Sequence, residues 1–107
     1  MLSFQLDSLS LKELYKDVFV GLIHGNELTL NYFELKNQDV KIPFHEHPVE
    51  HLVVVLDGVM EFIFKDQKIV LKTKECVFVP TKTKHTARVI DGPVKALEIY
   101  LVTKDEY

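Results

Sequence analysis

The segment His45-Glu46-His47-Pro48-Val49-Glu50-His51 runs directly into Leu52-Val53-Val54-Val55-Leu56-Asp57-Gly58, and the fold is decided by how that stretch is read. In extended backbone, side chains two residues apart share a face, so His45 and His47 present neighbouring imidazoles to one surface. Pro48 interrupts the strand, and His51 opens the next apolar run, placed to face the same interior across the corner. Three of the five histidines thus fall within seven residues, and a fourth, His85, belongs to a different strand. Imidazole nitrogen suits zinc, copper, iron and nickel, and manganese when oxygen ligands join it. His24, beside Gly25 and away from the others, reads as an ordinary strand histidine. Spacing alone leaves two readings of the cluster open, a metal site or hydrogen-bonded structural histidines.

Outward from this segment the chain is a series of short strands punctuated by turn residues. Asp57-Gly58 separates apolar runs at 51–56 and 59–64, which predicts a two-residue hairpin. Towards the N-terminus, 18–24 is β-branched and apolar and is stopped by Gly25-Asn26, while Leu28, Leu30 and Tyr32 alternate with Thr29 and Asn31. The polar stretch 36–39 reads as a loop. Towards the C-terminus, strands are expected at 69–71 after Asp66-Gln67, at 76–79 before Pro80, at 86–90 before Asp91-Gly92-Pro93, and at 95–103. One helix is expected, over 11–17, from the capping-box spacing of Ser10 and Glu13 and a staple between Leu9 and Leu14. Many short strands at intervals of about 8–12 residues predict an all-β sandwich or barrel.

The chain has 107 residues, the length of one domain, and no repeat or linker divides it. Hydrophobic residues are 47% and charged residues 27%, a globular balance. The net charge of −3 with interspersed signs predicts no nucleic-acid partner. Lysines 65, 68, 72, 74, 82 and 84 read as the solvated side of strands. The longest apolar run, 52–56, is far short of the roughly 20 residues of a membrane helix, so no membrane partner is expected. Cys76 is the single cysteine, which excludes an intrachain disulfide, and a buried apolar thiol is expected there. With no secretory signal apparent at 1–11, a cytoplasmic location is expected. Val53, Val54 and Val55, and Leu97, Ile99 and Leu101 beside Ala96 and Tyr100, make strands apolar on both faces. The second face needs cover, which favours a homodimer.

The stretch 39–58 resembles the first motif of the cupins: Gly, five residues, His-x-His, three or four residues, Glu, six residues, Gly. His45, His47 and Gly58 match; Asp39 stands at the first glycine and His51 at the glutamate. The second motif (Gly, five residues, Pro-x-Gly, two residues, His, three residues, Asn) is matched over 74–89 by Pro80 and His85, with Lys74, Lys82 and Val89 replacing the glycines and the asparagine. The resemblance covers about half the chain. It implies a jelly-roll β-barrel, commonly dimeric, with metal-ligand positions on His45, His47, His51 and His85, the four-histidine variant. Glu46 and Glu50 have the opposite parity and are expected to point outward, whereas a bulge at Pro48 would exchange Glu50 for His51 as the ligand.

Four neutral imidazoles leave a divalent ion at +2, electrophilic and open to further ligands. The expected cofactor is one divalent transition metal, manganese, iron, nickel or zinc. Pocket walls are expected from Val53, Val55, Phe62, Phe64, Phe78 and Ala87, with Val89 also apolar. No Ser-His-Asp set, phosphate-cradling glycine loop or paired carboxylates accompany them. Arg88, by parity, is expected to face solvent. The implied function is a metal-dependent oxidoreductase or dioxygenase acting on a small molecule in the barrel; the alternative is a non-catalytic cupin that binds a small ligand or senses metal. Fold does not decide between them.

Overall fold

The computed structural model describes residues 3–101. A 3-10 turn (Leu6–Ser8) precedes eight strands: β1 (Lys12–Tyr15), β2 (Val18–His24), β3 (Leu28–Leu35), β4 (Lys41–His45), β5 (His51–Phe64), β6 (Gln67–Leu71), β7 (Cys76–Val79) and β8 (His85–Leu101). All pairings are antiparallel, in the order β1-β2-β3-β8-β5-β6, with β4 added on β8 and β7 on β5. This is an all-β antiparallel barrel, with the jelly-roll form expected from the sequence. Among the described residues no helix is long and apolar enough to cross a membrane.

The two long strands carry the architecture. From Leu52↔Ile99 to Val55↔Ala96, β5 pairs with the second half of β8; from Met60↔Val89 to Phe64↔His85 it pairs with the first half. The register slips between Val55 and Met60, where both strands bend. β3 and β7 extend the sheet on one side of that corner, and β4 and β6 extend it on the other. Inward residues of both halves meet in one core that includes Val53, Val55, Met60, Phe62, Ala87 and Val89. The Thr86 hydroxyl donates to the Ile42 carbonyl and ties β4 to β8.

Asp57-Gly58 is therefore not a hairpin turn but the corner of a continuous strand, and Asp91-Gly92-Pro93 is likewise inside β8. The physical signal was real, since Gly58 does take a positive φ of 86°. The flanking runs pair with β8 rather than with each other, because β8 offers each of them a partner strand with an apolar inward face. A Cβ at Gly58 would lie 2.6 Å from the Pro93 carbonyl oxygen and 2.8 Å from that of Asp91.

The expected helix over 11–17 is absent. Its residues form β1 and a turn at Asp17, with only the 3-10 turn upstream. A seven-residue helix has too few internal hydrogen bonds to persist alone; pairing Lys12↔Val20 and Glu13↔Phe19 gives the backbone ladder partners instead. The Glu13 carboxylate accepts the Asp17 amide at 3.2 Å and closes that turn.

Parity also corrects two side chains on β7. Val77 and Val79 face inward, so Cys76 and Phe78 point out; Cys76 is exposed, and Phe78 is 64% exposed. Arg88 keeps its outward direction but is bound there, its Nε donating to the buried Glu61 at 3.0 Å, with Asp39 at 3.5 Å. The expected last strand 95–103 is the second half of β8 as far as Leu101; residues 102–103 lie outside the described chain.

Asp39, Lys74 and Lys82 occupy the positions where the resembled motifs have glycine, and all three have positive φ, at 61°, 72° and 54°. The loop shapes survive the loss of glycine because each amide is held: Asp39 by Val89 O, Lys74 by Val55 O and Lys82 by His47 O. A non-glycine residue in this region costs on the order of 1–2 kcal/mol, offset by about 0.5–1 kcal/mol of extra chain entropy when glycine is substituted. Lys74→Gly and Lys82→Gly are expected to leave stability unchanged or raise it by up to about 1 kcal/mol. Gly58→Ala is expected to cost about 1–3 kcal/mol, whereas Gly25→Ala, whose added Cβ meets only ordinary contacts, should be far milder. Urea unfolding of the four variants checks this; a Gly58→Ala protein as stable as the parent contradicts the corner geometry.

Candidate metal centre

His45 closes β4 and lies in register with His85, the first residue of β8. His51 opens β5, and His47 sits in the intervening corner, its carbonyl fixed by the Lys82 amide at 2.8 Å. The structure thus brings together all four histidines singled out from the sequence. Ring centroids are 4.2 Å apart for His45 and His85, 3.9 Å for His47 and His51, and 4.8 Å for His45 and His47. His51 and His85 are buried. Glu46 and Glu50 are exposed, as their parity predicted. His24 lies apart from the cluster, its Nδ1 3.1 Å from Thr29 Oγ1.

Backbone carbonyls orient three of these rings. His45 Nδ1 donates to Pro43 O, His51 Nδ1 to Val49 O and His85 Nδ1 to Thr83 O, each at 2.8 Å and each to the residue two positions earlier. A carbonyl only accepts, so the proton is on Nδ1 and the neutral ring presents its Nε2 lone pair. Metal-ligating histidines are typically oriented through such a hydrogen bond at the other nitrogen.

Glu98, which no sequence motif singles out, also belongs to the centre. It lies on β8 opposite Asn31 of β3 and Val53 of β5, facing the cluster with Ala96 and Tyr100. Asn31 Nδ2 donates to Glu98 Oε1 at 2.9 Å. Glu98 oxygens lie 3.9 Å from His47 Nε2 and 3.8 Å from His51 Nε2. A signal was available: in the alternation Val94, Ala96, Glu98, Tyr100, a carboxylate occupies an inward position of an otherwise apolar strand. The Tyr100 ring packs against His51 at 4.6 Å.

Two sets of three donors result, His45 with His47 and His85, and His47 with His51 and Glu98; within each, the ligand atoms lie within 4.8 Å of one another. His47, shared by both, has a buried Nε2 with no hydrogen-bond partner in the protein. An unpaired buried nitrogen shared by two clusters of donors fits a cation. The centre forms part of the wall of a cavity of about 700 Å³. Val53, Phe62 and Ala87 line it as expected, and so do Phe33, Met60 and Leu22. Val55 and Val89 are instead packed in the core, and Phe64 and Phe78 border a separate surface groove.

Burial holds His47 down at about 4, against the upward pull of Glu98, with His51, His45 and His85 adding to the depression. Burial also lowers His85, against the hydrogen bond to Thr83 that favours its charged form. These two imidazoles are therefore held in the neutral form that binds metals.

The sequence model of the cupin domain matches residues 31–100, a span that contains every residue of this centre. The chain belongs to the cupin family. Comparison with curated proteins finds no match. Among solved structures, this cupin is similar to KdgF from Halomonas sp. (15% identity, 95% of each chain covered, TM-score 0.83). It is also similar to the polyketide cyclase RemF from Streptomyces resistomycificus (18% identity, 100% of this chain and 90% of that one, TM-score 0.82). A third similar structure is a cupin superfamily protein from Desulfitobacterium hafniense (22% identity, 86% of this chain and 84% of that one, TM-score 0.74). At these identities the similarity is one of fold.

The depressed His47 sets a pH dependence. Between about 4 and the ordinary histidine value near 6.5, the unfolded chain takes up a proton that folded His47 refuses. Stability of the metal-free protein is therefore expected to fall as pH drops through this window, and to be free of this contribution above it. His47→Asn should flatten that part of the slope. Urea unfolding at pH 7, 5.5 and 4.5 measures it; an unchanged slope in the variant contradicts the assignment.

Proposed function

We propose that His45, His47, His51 and His85 hold one divalent transition metal, manganese, iron, nickel or zinc, and that this cupin is a metal-dependent enzyme of the oxidoreductase or dioxygenase type. The observation that carries the reading is the set of Nδ1-anchored imidazoles turned towards an apolar cavity large enough for a small organic molecule. Bound there, a metal supplies Lewis acidity and, when redox-active, one-electron chemistry. The protein's own part is to exclude water with Phe33, Met60 and Phe62, and to orient a substrate whose oxygen donors reach the ion. The polyketide cyclase among the similar structures shows that this fold serves catalysis on organic molecules elsewhere, which supports the enzyme reading by analogy alone. The alternative is a non-catalytic cupin that binds a small ligand or senses metal, since fold alone does not imply catalysis.

Metal analysis of unsupplemented protein tests occupancy. Ala at position 45, 47, 51 or 85 should each reduce bound metal, while His24→Ala should not. After loading with cobalt, titration with oxalate or acetylacetone should change the visible spectrum saturably. A four-coordinate ion indifferent to both anions overturns the enzyme reading and leaves a structural zinc. Saturable binding with no oxygen uptake by the iron form across a panel of small substrates favours the binding reading.

We also propose a two-fold homodimer. Cross-strand register aligns Leu30, Ile99, Leu52 and Phe78 in one outward row, and Leu28 with Leu101 beside it. Leu28, Phe78 and Leu101 are at least half exposed, and no charged side chain interrupts the rows, so a second copy of the same patch is a matching cover. Sedimentation is expected to give a dimer, and Phe78→Glu with Leu101→Glu a folded monomer; a parent chain that sediments as a monomer at micromolar concentration overturns this.

A further inference from the structure

Building on the metal reading above, we propose that Glu98 is a fifth protein ligand, so that the carboxylate missing from the first motif is returned to the centre by the last strand. His51 stands where the resembled motif has glutamate. The register sets Leu52 opposite Ile99 and Val53 opposite Glu98, which makes Glu98 the diagonal, same-face neighbour of His51 across the β5–β8 ladder. The carboxylate approaches the histidines from the opposite side to β4 and is side-chain buried to all but 13%.

The distances discriminate between a hydrogen bond and a shared ion. At 3.8 and 3.9 Å, the contacts of Glu98 with His51 Nε2 and His47 Nε2 are too long for hydrogen bonds. Two donors bound to one ion at about 2.1 Å lie about 3 Å apart at right angles and about 4.2 Å apart when opposed, which brackets both separations. The His51 Nε2 lone pair and a carboxylate oxygen are both acceptors, so a cation between them turns a repulsive pair into an attractive one. Asn31 supports the arrangement by holding Oε1 with its amide, a second interaction that fixes the carboxylate without neutralising it.

The consequence concerns what the centre binds. With five protein donors, a six-coordinate ion keeps one open position and a net charge of +1, so the ion takes a monodentate ligand such as a single alkoxide, enolate or carboxylate oxygen. With the four histidines alone, two positions and a +2 charge would favour bidentate chelates.

The test is metal affinity and ligand count in Glu98→Gln, which preserves volume and an oxygen for Asn31, with Glu98→Asp as a second variant. Cobalt and manganese are the probes, titrated against a competing chelator, and circular dichroism of the metal-free proteins confirms the fold. Glu98→Gln should raise Kd by about tenfold to a hundredfold or more, alter the cobalt visible spectrum, and raise the water relaxivity of the manganese form as a further coordination position opens. Glu98→Asp, with its carboxylate drawn back by one methylene, should also weaken binding and change the spectrum. If Glu98→Gln binds within twofold of the parent with unchanged spectrum and relaxivity, the fifth-ligand assignment is overturned while the four-histidine reading stands. If the parent chain binds neither probe at micromolar concentration, the metal reading fails, and this one with it.

Discussion

β5 and β8, far apart in sequence, pair from Leu52↔Ile99 at one end to Phe64↔His85 at the other, and the fold and the centre are both built on that ladder. Each strand bends at the same level, so one pair of strands serves both sides of the barrel. The bend is possible because Gly58 allows the Asp91 and Pro93 carbonyls to approach within distances that no side chain tolerates. On one side of the corner the ladder brings Glu98 beside β5; at its far end it places His85 beside β4 and His45. The remaining strands add edges to this frame, and none of them alone would bring the histidines together.

The chemistry of the centre follows from where that frame puts polar groups. Four imidazoles and one carboxylate face a mostly apolar interior, where desolvation opposes charge on the rings. The depressed His47 and His85 express that opposition, and Glu98 only partly counters it. A protein stabilised by burial alone would fill these positions with leucine or valine; donors amid apolar side chains form a set that could hold a cation.

Much of this was legible in the sequence, unevenly so. β2 and β7 were bounded correctly because β-branched runs stop at Gly25 and Pro80. His45 and His47 stood out by their period-two spacing and His51 by the corner at Pro48, while His85 joined them through the resemblance to the second motif. Asp57-Gly58 misled because a hairpin and a strand corner demand the same positive φ, and only the distant partner strand distinguishes them. Glu98 was hidden by its surroundings, since Leu97, Ile99 and Leu101 made the strand look uniformly apolar. The left-handed Lys74 and Lys82 carry no local signal at all; their conformation is imposed by carbonyls of Val55 and His47 that lie elsewhere in the chain. The N-terminal segment went the other way, a real local helix preference outweighed by an available strand edge.

The hydrogen bonds from His45, His51 and His85 to carbonyls two residues upstream have one more implication. Where aspartates or asparagines orient a ligand, a single codon change can remove the support. Here the support is main chain, and any side chain at positions 43, 49 or 83 leaves the acceptor in place. The aim of these rings is thus written in the path of the backbone, so a change of side chain at those three positions leaves it in place.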